Sequence, residues 1–82
     1  MIDEAFARTL RRLRAEKGFA QDAFAARAHL HRTYISQLER GLKSPSLRTV
    51  QRIVDALDMN VADFFAQVQN EMTMMDDVSS QS

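Results

Sequence analysis

The sequence QDAFAARAHLHRTYISQLERG, residues 21–41, decides the fold of this chain, because it predicts two short helices joined by a tight turn. The first of the two helices covers about residues 21–28, and the second covers about residues 32–40. Ile35 and Leu38 lie on one side of the second helix and are predicted to point towards a core. The second helix therefore has one buried face and one face left for solvent or a partner.

The outward face of this second helix carries Arg32, Thr33, Ser36 and Gln37. Arg32 with Ser36, and Thr33 with Gln37, are four residues apart and form parallel pairs on the helix surface. Such side chains match the donors and acceptors that base edges present in the major groove of DNA. Arg32 suits guanine, and Gln37 suits adenine or a phosphate. The pattern predicts a helix-turn-helix whose four outward residues read bases; the alternative interpretation is an ordinary polar helix surface.

Apolar residues at helical spacing predict three further helices outside this stretch. The first helix of the chain covers about residues 4–17, the fourth begins after Ser46, and the fifth begins after Asn60. Asp3, Ser46 and Asn60 are the predicted N-terminal caps, and Gly18 and Gly41 are the predicted stops of the first and third helices. The predicted fold class is all-α, a compact five-helix bundle.

The chain has 82 residues, of which 45% are apolar, enough for one small domain. Residues 1–69 contain the five predicted helices and form the expected DNA-binding domain. Residues 70–82 form an acidic segment that contains methionines and ends in small polar residues with little to bury. We expect this C-terminal tail to be partly disordered.

Charge is distributed unevenly along a chain whose net charge is zero. All eleven basic residues lie within residues 8–52, where only three acids oppose them, so this segment carries a net charge of +8. The flanking segments contain the other eight acids and no basic residue. A basic body with acidic ends favours contact between the body and phosphate, although an ordinary solvated surface is an equally available interpretation.

Several classes of protein are disfavoured by composition. The chain has no cysteine, and its two histidines, His29 and His31, cannot complete a metal site, so we expect no metal and no cofactor. The sequence offers no nucleophile paired with a base and no phosphate-binding loop, and we expect neither an enzyme nor a small-molecule ligand. Its acidic start and short apolar runs favour neither a signal peptide nor a membrane span, which predicts a cytoplasmic protein.

Several motifs occur in an order typical of one family: LRRLR at residues 10–14, Gln21, Ala25, YISQLERG at residues 34–41 and PSL at residues 45–47. Together they resemble the lambda-repressor-like helix-turn-helix superfamily, especially its Xre-type branch, over about residues 4–68. Within that branch, RTYIS followed by ERG is most similar to the controller proteins of restriction-modification systems. Stand-alone regulators from phages, plasmids and bacterial chromosomes share nearly the same string.

The resemblance implies which residues contact DNA. Base contacts are implied for the first two turns of the third helix, that is, for Arg32, Thr33, Ser36 and Gln37. Phosphate contacts are implied at the start of the second helix and after the third, at Gln21, Arg40, Lys43 and Ser44. His31, at the capping position of the third helix, is a further candidate for a phosphate contact when protonated; the alternative is a simple turn residue.

Arg14 and Glu39 are assigned to structure rather than to DNA. Each lies four residues after an inward-facing residue, at the margin of a buried helix face. Family members with arginine and glutamate at these places join the first and third helices by an ion pair, which implies the same role here.

The chain departs from the family pattern at two helix boundaries. Ala20 stands where a serine or threonine usually caps the second helix, and it forfeits about 1 kcal/mol. His29 stands where the turn usually has glycine; a positive φ there would store strain, which histidine tolerates better than a branched residue does.

A homodimer is expected because one short helix offers too few contacts to select a site in a genome. The fifth helix is more apolar than a surface helix requires, and its interface candidates are Val61, Phe64, Phe65 and Val68, with the methionines at positions 72, 74 and 75 as further candidates. Core packing against the first and fourth helices is the alternative for each of them, and for Phe64 it is the favoured one.

The predicted function is that of a transcription regulator that binds double-stranded DNA as a homodimer on a palindromic operator. It would repress by blocking RNA polymerase or activate by contacting it, and it would control a restriction-modification operon if the narrower resemblance holds. The alternative function is that of an antitoxin-like protein, which would bind both DNA and a protein toxin.

Overall fold

A computed structural model shows that residues 1–81 form five α-helices, which confirms the all-α fold class. The structure describes the backbone of residues 1–81 and the side chains of residues 1–76. The helices are α1 (Ile2–Glu16), α2 (Gln21–Arg27), α3 (Arg32–Glu39), α4 (Leu47–Ala56) and α5 (Val61–Gln81). The bounds of α2 and α3 agree with the predicted bounds within one residue.

A single hydrophobic core joins all five helices. Its fully buried side chains include Leu10 of α1, Phe24 of α2, Ile35 and Leu38 of α3, Ile53 and Val54 of α4, and Phe64 and Val68 of α5. Phe6 and Phe64 meet edge to face, with ring centroids 5.3 Å apart, and connect α1 to α5. Because burial of each large apolar side chain contributes about 1.5–3 kcal/mol, this shared core holds helices too short to be stable alone.

Four of the five helices end in the same type of turn. The residue after each C-cap has a positive φ, and the next backbone N–H donates back to a carbonyl five residues earlier, as in a Schellman motif. The four positive-φ residues are Gly18, His29, Gly41 and Asp58. The two glycines match the predicted stops, whereas Asp58 occupies its position without a glycine signal in the sequence.

Side-chain caps begin α4 and α5 as predicted. The Ser46 hydroxyl accepts a hydrogen bond from the backbone N–H of Thr49 at 3.1 Å. The Asn60 side-chain oxygen accepts one from the N–H of Asp63 at 2.7 Å. Each bond satisfies one of the backbone donors that a helix start leaves without a partner.

The start of α1 differs from the prediction. The helix begins at Ile2, because the N–H of Ala5 donates to the carbonyl of Met1 at 3.0 Å and makes Met1 the N-cap. Asp3 therefore lies within the first turn and is not the cap. Its carboxylate accepts a hydrogen bond from the Ser44 hydroxyl instead, at 2.8 Å.

The chain has no helix boundary near residue 69, where the sequence predicts the start of a tail. α5 continues to Gln81, and Met72 and Met75 are partly buried against the core. These two methionines extend the apolar face of α5 by about one turn, which explains why the helix passes the predicted boundary. The remainder of the predicted tail, Ser82, lies outside the described residues.

Candidate nucleic-acid interface

The turn between α2 and α3 sets the direction of the third helix. His29 adopts a φ of +59°, and the N–H of Leu30 donates to the carbonyl of Ala25 at 2.8 Å. A histidine thus holds the left-handed conformation in the place where the family usually has glycine. His31 then adopts an extended conformation as the N-cap of α3, without a side-chain cap bond. The backbone alone therefore reverses the chain between the two helices.

α3 is held by its inner face. Ile35 and Leu38 are fully buried, and Tyr34 is partly buried against the same core. A helix with two buried residues three apart cannot rotate about its axis without exposing them. The opposite face of α3 is therefore held in a fixed orientation at the surface.

The four predicted base-reading residues share this outer face. Arg32 and Thr33 are exposed, and Ser36 and Gln37 are half-buried. Their side chains form no hydrogen bond or ion pair with another described residue. Four polar side chains are thus presented together on one ordered helix, with donors and acceptors that no other described side chain uses.

An ion pair between Arg14 and Glu39 joins α1 to α3, as the family resemblance implied. The Nε and Nη2 atoms of Arg14 lie 2.5 and 2.9 Å from the two carboxylate oxygens of Glu39, a bidentate arrangement. The Arg14 Nη1 atom also donates to the carbonyl of Phe19 at 2.6 Å. Only 2% of the Glu39 side chain is exposed, so its charge is compensated inside the protein.

Hydrogen bonding to Glu39 is the main reason why the pKa of the Arg14 guanidinium is raised. Desolvation opposes this effect, and the charge of the carboxylate adds to it. Arg14 therefore remains protonated, and the pair remains an ion pair on the alkaline side of neutrality.

Gln21 belongs to the same cluster. Its side-chain amide nitrogen donates to the Glu39 carboxylate at 3.0 Å and so ties the start of α2 to the ion pair. One of its two amide hydrogens is used in this way, and the second remains for the predicted phosphate contact. The residue thus supports the position of α3, a role that the sequence did not predict.

The other predicted phosphate ligands differ in how available they are. Arg40 and Lys43 follow α3, are exposed, and form no ion pair with another described residue. His31 is exposed at the other end of α3. Ser44 is exposed, but its hydroxyl already donates to Asp3, whose carboxylate would repel a phosphate. Of the five predicted phosphate ligands, Arg40 and Lys43 are therefore the ones most available to bind a phosphate.

Arg27 is a supporting residue that the sequence analysis missed. Its Nε atom donates to the carbonyl of Ala56 at 2.8 Å, and its guanidinium lies 5.3 Å from the ring centroid of Phe19. These contacts tie the end of α2 to the end of α4. A basic residue in the last turn of a helix was the available signal, but nothing in the sequence indicated its partner.

The predicted dimer-interface residues fall into two groups. Phe64 and Val68 have 0% and 1% of their surface exposed, so both belong to the core of the protomer. For Phe64 this is the alternative that the sequence favoured, whereas for Val68 the assignment to the interface was wrong. Val61 is 42% exposed, and Phe65 is half-buried with its ring 5.4 Å from that of Phe64. The helical spacing of apolar residues placed all four interface candidates on α5, but it could not show which of them face α1.

An apolar groove lies beside Phe65. Its walls come from the start of α1, the loop before α4 and the first turns of α4, and its apolar lining residues are Ile2, Phe6, Pro45, Leu47, Val50 and Phe65. Leu47 is 88% exposed and Ile2 is 54% exposed. Two large aliphatic side chains are therefore left in water next to an aromatic ring.

None of the helices that the structure describes is long and apolar enough to cross a lipid bilayer. Within the same described residues, no group of three or more histidine, cysteine, aspartate or glutamate side chains could hold a metal ion.

The family model described as a helix-turn-helix domain matches residues 5–64, which include α1 to α4 and the start of α5. The chain belongs to this helix-turn-helix family. The match contains the buried ion pair, the α2–α3 turn and the polar face of α3. It confirms the resemblance that the sequence motifs carried, and it makes the protein a DNA-binding transcription regulator by family.

Relatives with similar sequences are control proteins and transcription regulators. The control protein C.MunI of Mycoplasma sp is 34% identical over 67 residues, which are 80% of this chain and 90% of that protein. The control protein C.BamHI of Bacillus amyloliquefaciens is 37% identical over 59 residues, covering 71% of this chain and 73% of that protein.

Solved structures of the same fold include gene regulators, one of them bound to its operator. The clp gene regulator ClgR from Corynebacterium glutamicum superposes with a TM-score of 0.93 at 28% identity, over 99% of this chain and 86% of that chain. The restriction-modification controller protein C.Esp1396I, solved as a tetramer with its natural 35 base-pair operator, superposes with a TM-score of 0.84 at 26% identity, over 89% of this chain and 96% of that chain.

Proposed function

We propose that this protein binds an operator in double-stranded DNA as a homodimer and regulates transcription from it. The observation that carries the proposal is the unpaired polar face of Arg32, Thr33, Ser36 and Gln37 on a helix with a fixed orientation. The major groove admits a helix of this kind, and its base edges supply the partners that these side chains lack.

Arg32 and Gln37 are the proposed determinants of sequence choice. An arginine near the start of a recognition helix can donate two hydrogen bonds to guanine O6 and N7, and a glutamine can pair with adenine N6 and N7. Each such pair discriminates between bases by roughly 1–3 kcal/mol. Thr33 and Ser36 are shorter, and they suit single hydrogen bonds or contact with a thymine methyl group.

Arg40 and Lys43 are the proposed main phosphate contacts, with Gln21, His31 and Ser44 as weaker ones. Each neutralised phosphate releases condensed counterions, so these residues would set the affinity and its dependence on salt. They carry no base information, and their loss would weaken binding to all sequences alike.

The proposed dimer forms through the apolar groove beside Phe65, together with Val61. Burial of Leu47 and Ile2 against a second copy would remove exposed aliphatic surface from water. None of the residues that line the groove belongs to α3, so burial of the groove would not use the polar face of that helix. Assembly of C.Esp1396I as a tetramer on its operator supports an oligomeric regulator.

Control of a restriction-modification operon is the narrower part of the proposal. Its support is the similarity to control proteins and to a restriction-modification controller protein, added to the RTYIS and ERG strings. Such a regulator acts in the cytoplasm, where the operator and RNA polymerase are, and contact with polymerase would allow activation as well as repression. Similarity to named regulators favours this function over the antitoxin-like alternative.

Selection of bound duplexes from a random DNA pool tests the function. We expect two inverted half-sites whose centres lie about one helical turn, ~34 Å, apart. Recovery of sequences without a shared motif would contradict specific reading.

Arg32→Ala tests the reading residue itself. We expect it to lower affinity for the selected duplex by roughly 1–3 kcal/mol, the energy of one bidentate contact between a side chain and a base. It should also relax the base preference at one position of each half-site. Arg12→Ala removes the same charge from an arginine held by Glu16, and it should leave the consensus unchanged. Equal effects of the two variants would show that Arg32 acts only through its charge.

A further inference from the structure

The four arginines of α1 differ in their partners. Three are held by carboxylates: Arg8 by Glu4 at 2.9 Å, Arg12 by Glu16 at 3.2 Å, and Arg14 by Glu39 at 2.5 Å. Arg11 has no carboxylate within ion-pair distance among the side chains that the structure describes, and it is exposed. Among the side chains that the structure describes, it is therefore the arginine of α1 without a carboxylate partner, and its charge is available to a partner outside the protein.

Arg11 lies in a shallow groove between α1 and the end of α3, of about 310 Å³. Arg40 lines the same groove and, within the described part of the chain, also lacks an ion pair. Two guanidinium groups without counterions thus border one concave surface. A single anion placed between them would accept hydrogen bonds from both and would relieve their mutual repulsion.

The two carboxylates of the groove are already neutralised. Glu4 pairs with Arg8, and Glu39 pairs with Arg14 and accepts a hydrogen bond from Gln21. Neither leaves an unpaired negative charge to repel an anion. The groove as a whole is lined by three arginines and two glutamates, and its uncompensated charge comes from Arg11 and Arg40.

The groove adjoins the part of the surface proposed to face DNA. A Cβ atom at Gly41 would lie 3.9 Å from the Cα atom of Glu4, and the Ser44 hydroxyl lies 2.8 Å from the Asp3 carboxylate. The first turns of α1 therefore run beside the segment that carries Arg40 and Lys43.

We propose that Arg11 and Arg40 form a clamp, one residue from α1 and one from α3, that holds a single phosphate of the operator backbone. The clamp rests on the proposed function and adds α1 to the DNA-binding surface. Planar guanidinium groups on two packed helices can bind one phosphate from two sides. This contact would set the affinity for DNA, and it would also fix how deeply α3 enters the major groove.

A structural role for Arg11 is the competing explanation. Arg11 also borders a second groove, lined in part by Glu71 of α5. If the function of Arg11 were to hold α5 through Glu71, loss of the Arg11 side chain would lower the melting temperature of the protein. The dependence of DNA affinity on salt would then equal that of the wild type.

The test compares Arg11→Gln with Arg12→Gln, which remove equal charge from neighbouring positions of one helix. Affinity for the selected duplex and for a scrambled duplex is measured by fluorescence anisotropy over a range of KCl concentrations. We expect Arg11→Gln to reduce the slope of log affinity against log salt by about 1 and to weaken both duplexes alike, with Arg12→Gln close to wild type. Because the clamp holds its one phosphate only when both arginines are present, Arg11→Gln combined with Arg40→Gln should reduce the slope by about 1, as the single variant does, and not by about 2.

Two results would overturn the clamp: a wild-type slope in Arg11→Gln, or equal slopes in Arg11→Gln and Arg12→Gln. Matching losses of melting temperature in Arg11→Gln and Glu71→Gln, with the slope unchanged, would establish the structural role instead. A wild-type protein that selects no duplex would overturn the proposed function and the clamp together, whereas a selective wild type with an unaffected Arg11→Gln variant would reject the clamp alone.

Discussion

At the scale of single residues, the Arg14–Glu39 pair is the polar contact on which the interface depends most. Its carboxylate also accepts a hydrogen bond from Gln21, so one buried group connects α1, α2 and α3. The raised pKa of Arg14 means that its contribution to stability is complete below the unfolded-state pKa and is lost only as pH rises through the still higher folded-state value. The arginine side of the pair is therefore insensitive to pH near neutrality.

Removal of Arg14 should be strongly destabilising. Arg14→Ala leaves the nearly inaccessible carboxylate of Glu39 with only the Gln21 amide, at a cost of about 3–5 kcal/mol in the free energy of unfolding. Urea denaturation measures the change directly. Arg14→Met combined with Glu39→Leu removes both charges and should recover much of the loss. A midpoint equal to wild type in Arg14→Ala would show that Glu39 is not buried as charge.

At the scale of helices, the elements are defined by their ends. Schellman motifs end four helices, and side-chain caps begin α4 and α5. The N-cap of α3, His31, forms no side-chain cap bond. The backbone N–H groups in the first turn of α3 are therefore left for another partner. Its position then depends on Ile35, Leu38 and the ion pair, so the reading helix is held by tertiary contacts more than by local ones.

Ser46 should contribute to stability through its cap. Ser46→Ala removes the acceptor for the Thr49 N–H and should lower the free energy of unfolding by about 1 kcal/mol. Ser44→Ala is the matched control, because Ser44 is also exposed but caps no helix and bonds only to the Asp3 side chain. We expect its effect to be smaller. Equal losses in thermal denaturation of the two variants would contradict the capping role.

At the scale of the whole molecule, polar and apolar surfaces are separated. Polar side chains without a partner among the described residues lie on α3, on the segment that follows it and, at Arg11, on the neighbouring α1, whereas the exposed aliphatic side chains of Ile2 and Leu47 lie at the groove beside Phe65. Burial of that groove in a symmetric dimer would duplicate the reading helix without covering it. A single protomer accounts for the core, but it gives no reason for Leu47 to be 88% exposed.

Leu47→Glu tests the dimer without touching the core. The charge should prevent burial of the groove against a second copy, so the variant should sediment as a monomer and bind the operator with a lower apparent affinity. Its far-ultraviolet circular dichroism should match wild type, because Leu47 is almost fully exposed in the protomer. Met74→Glu, at another exposed apolar residue, is the control and should remain dimeric. Dimers of Leu47→Glu would place the interface elsewhere.

Local signals account for the parts of the fold and site that were predicted correctly. Helical spacing of apolar residues, the caps at Ser46 and Asn60 and the stops at Gly18 and Gly41 act within a few residues, so they are readable in one dimension. The outward face of α3 follows from the same spacing. The positive φ of Asp58 was missed because no glycine marks it.

The sequence by itself determined the five helices, the helix-turn-helix and the polar face of α3, because each depends on residues close together along the chain. Only the tertiary structure decided that Val68 lies in the core, that Gln21 supports Glu39, and that Ser44 pairs with Asp3. It also placed Arg11 beside Arg40. Periodicity shows which side of a helix is apolar or polar, but the neighbour that meets that side is set by how distant segments pack.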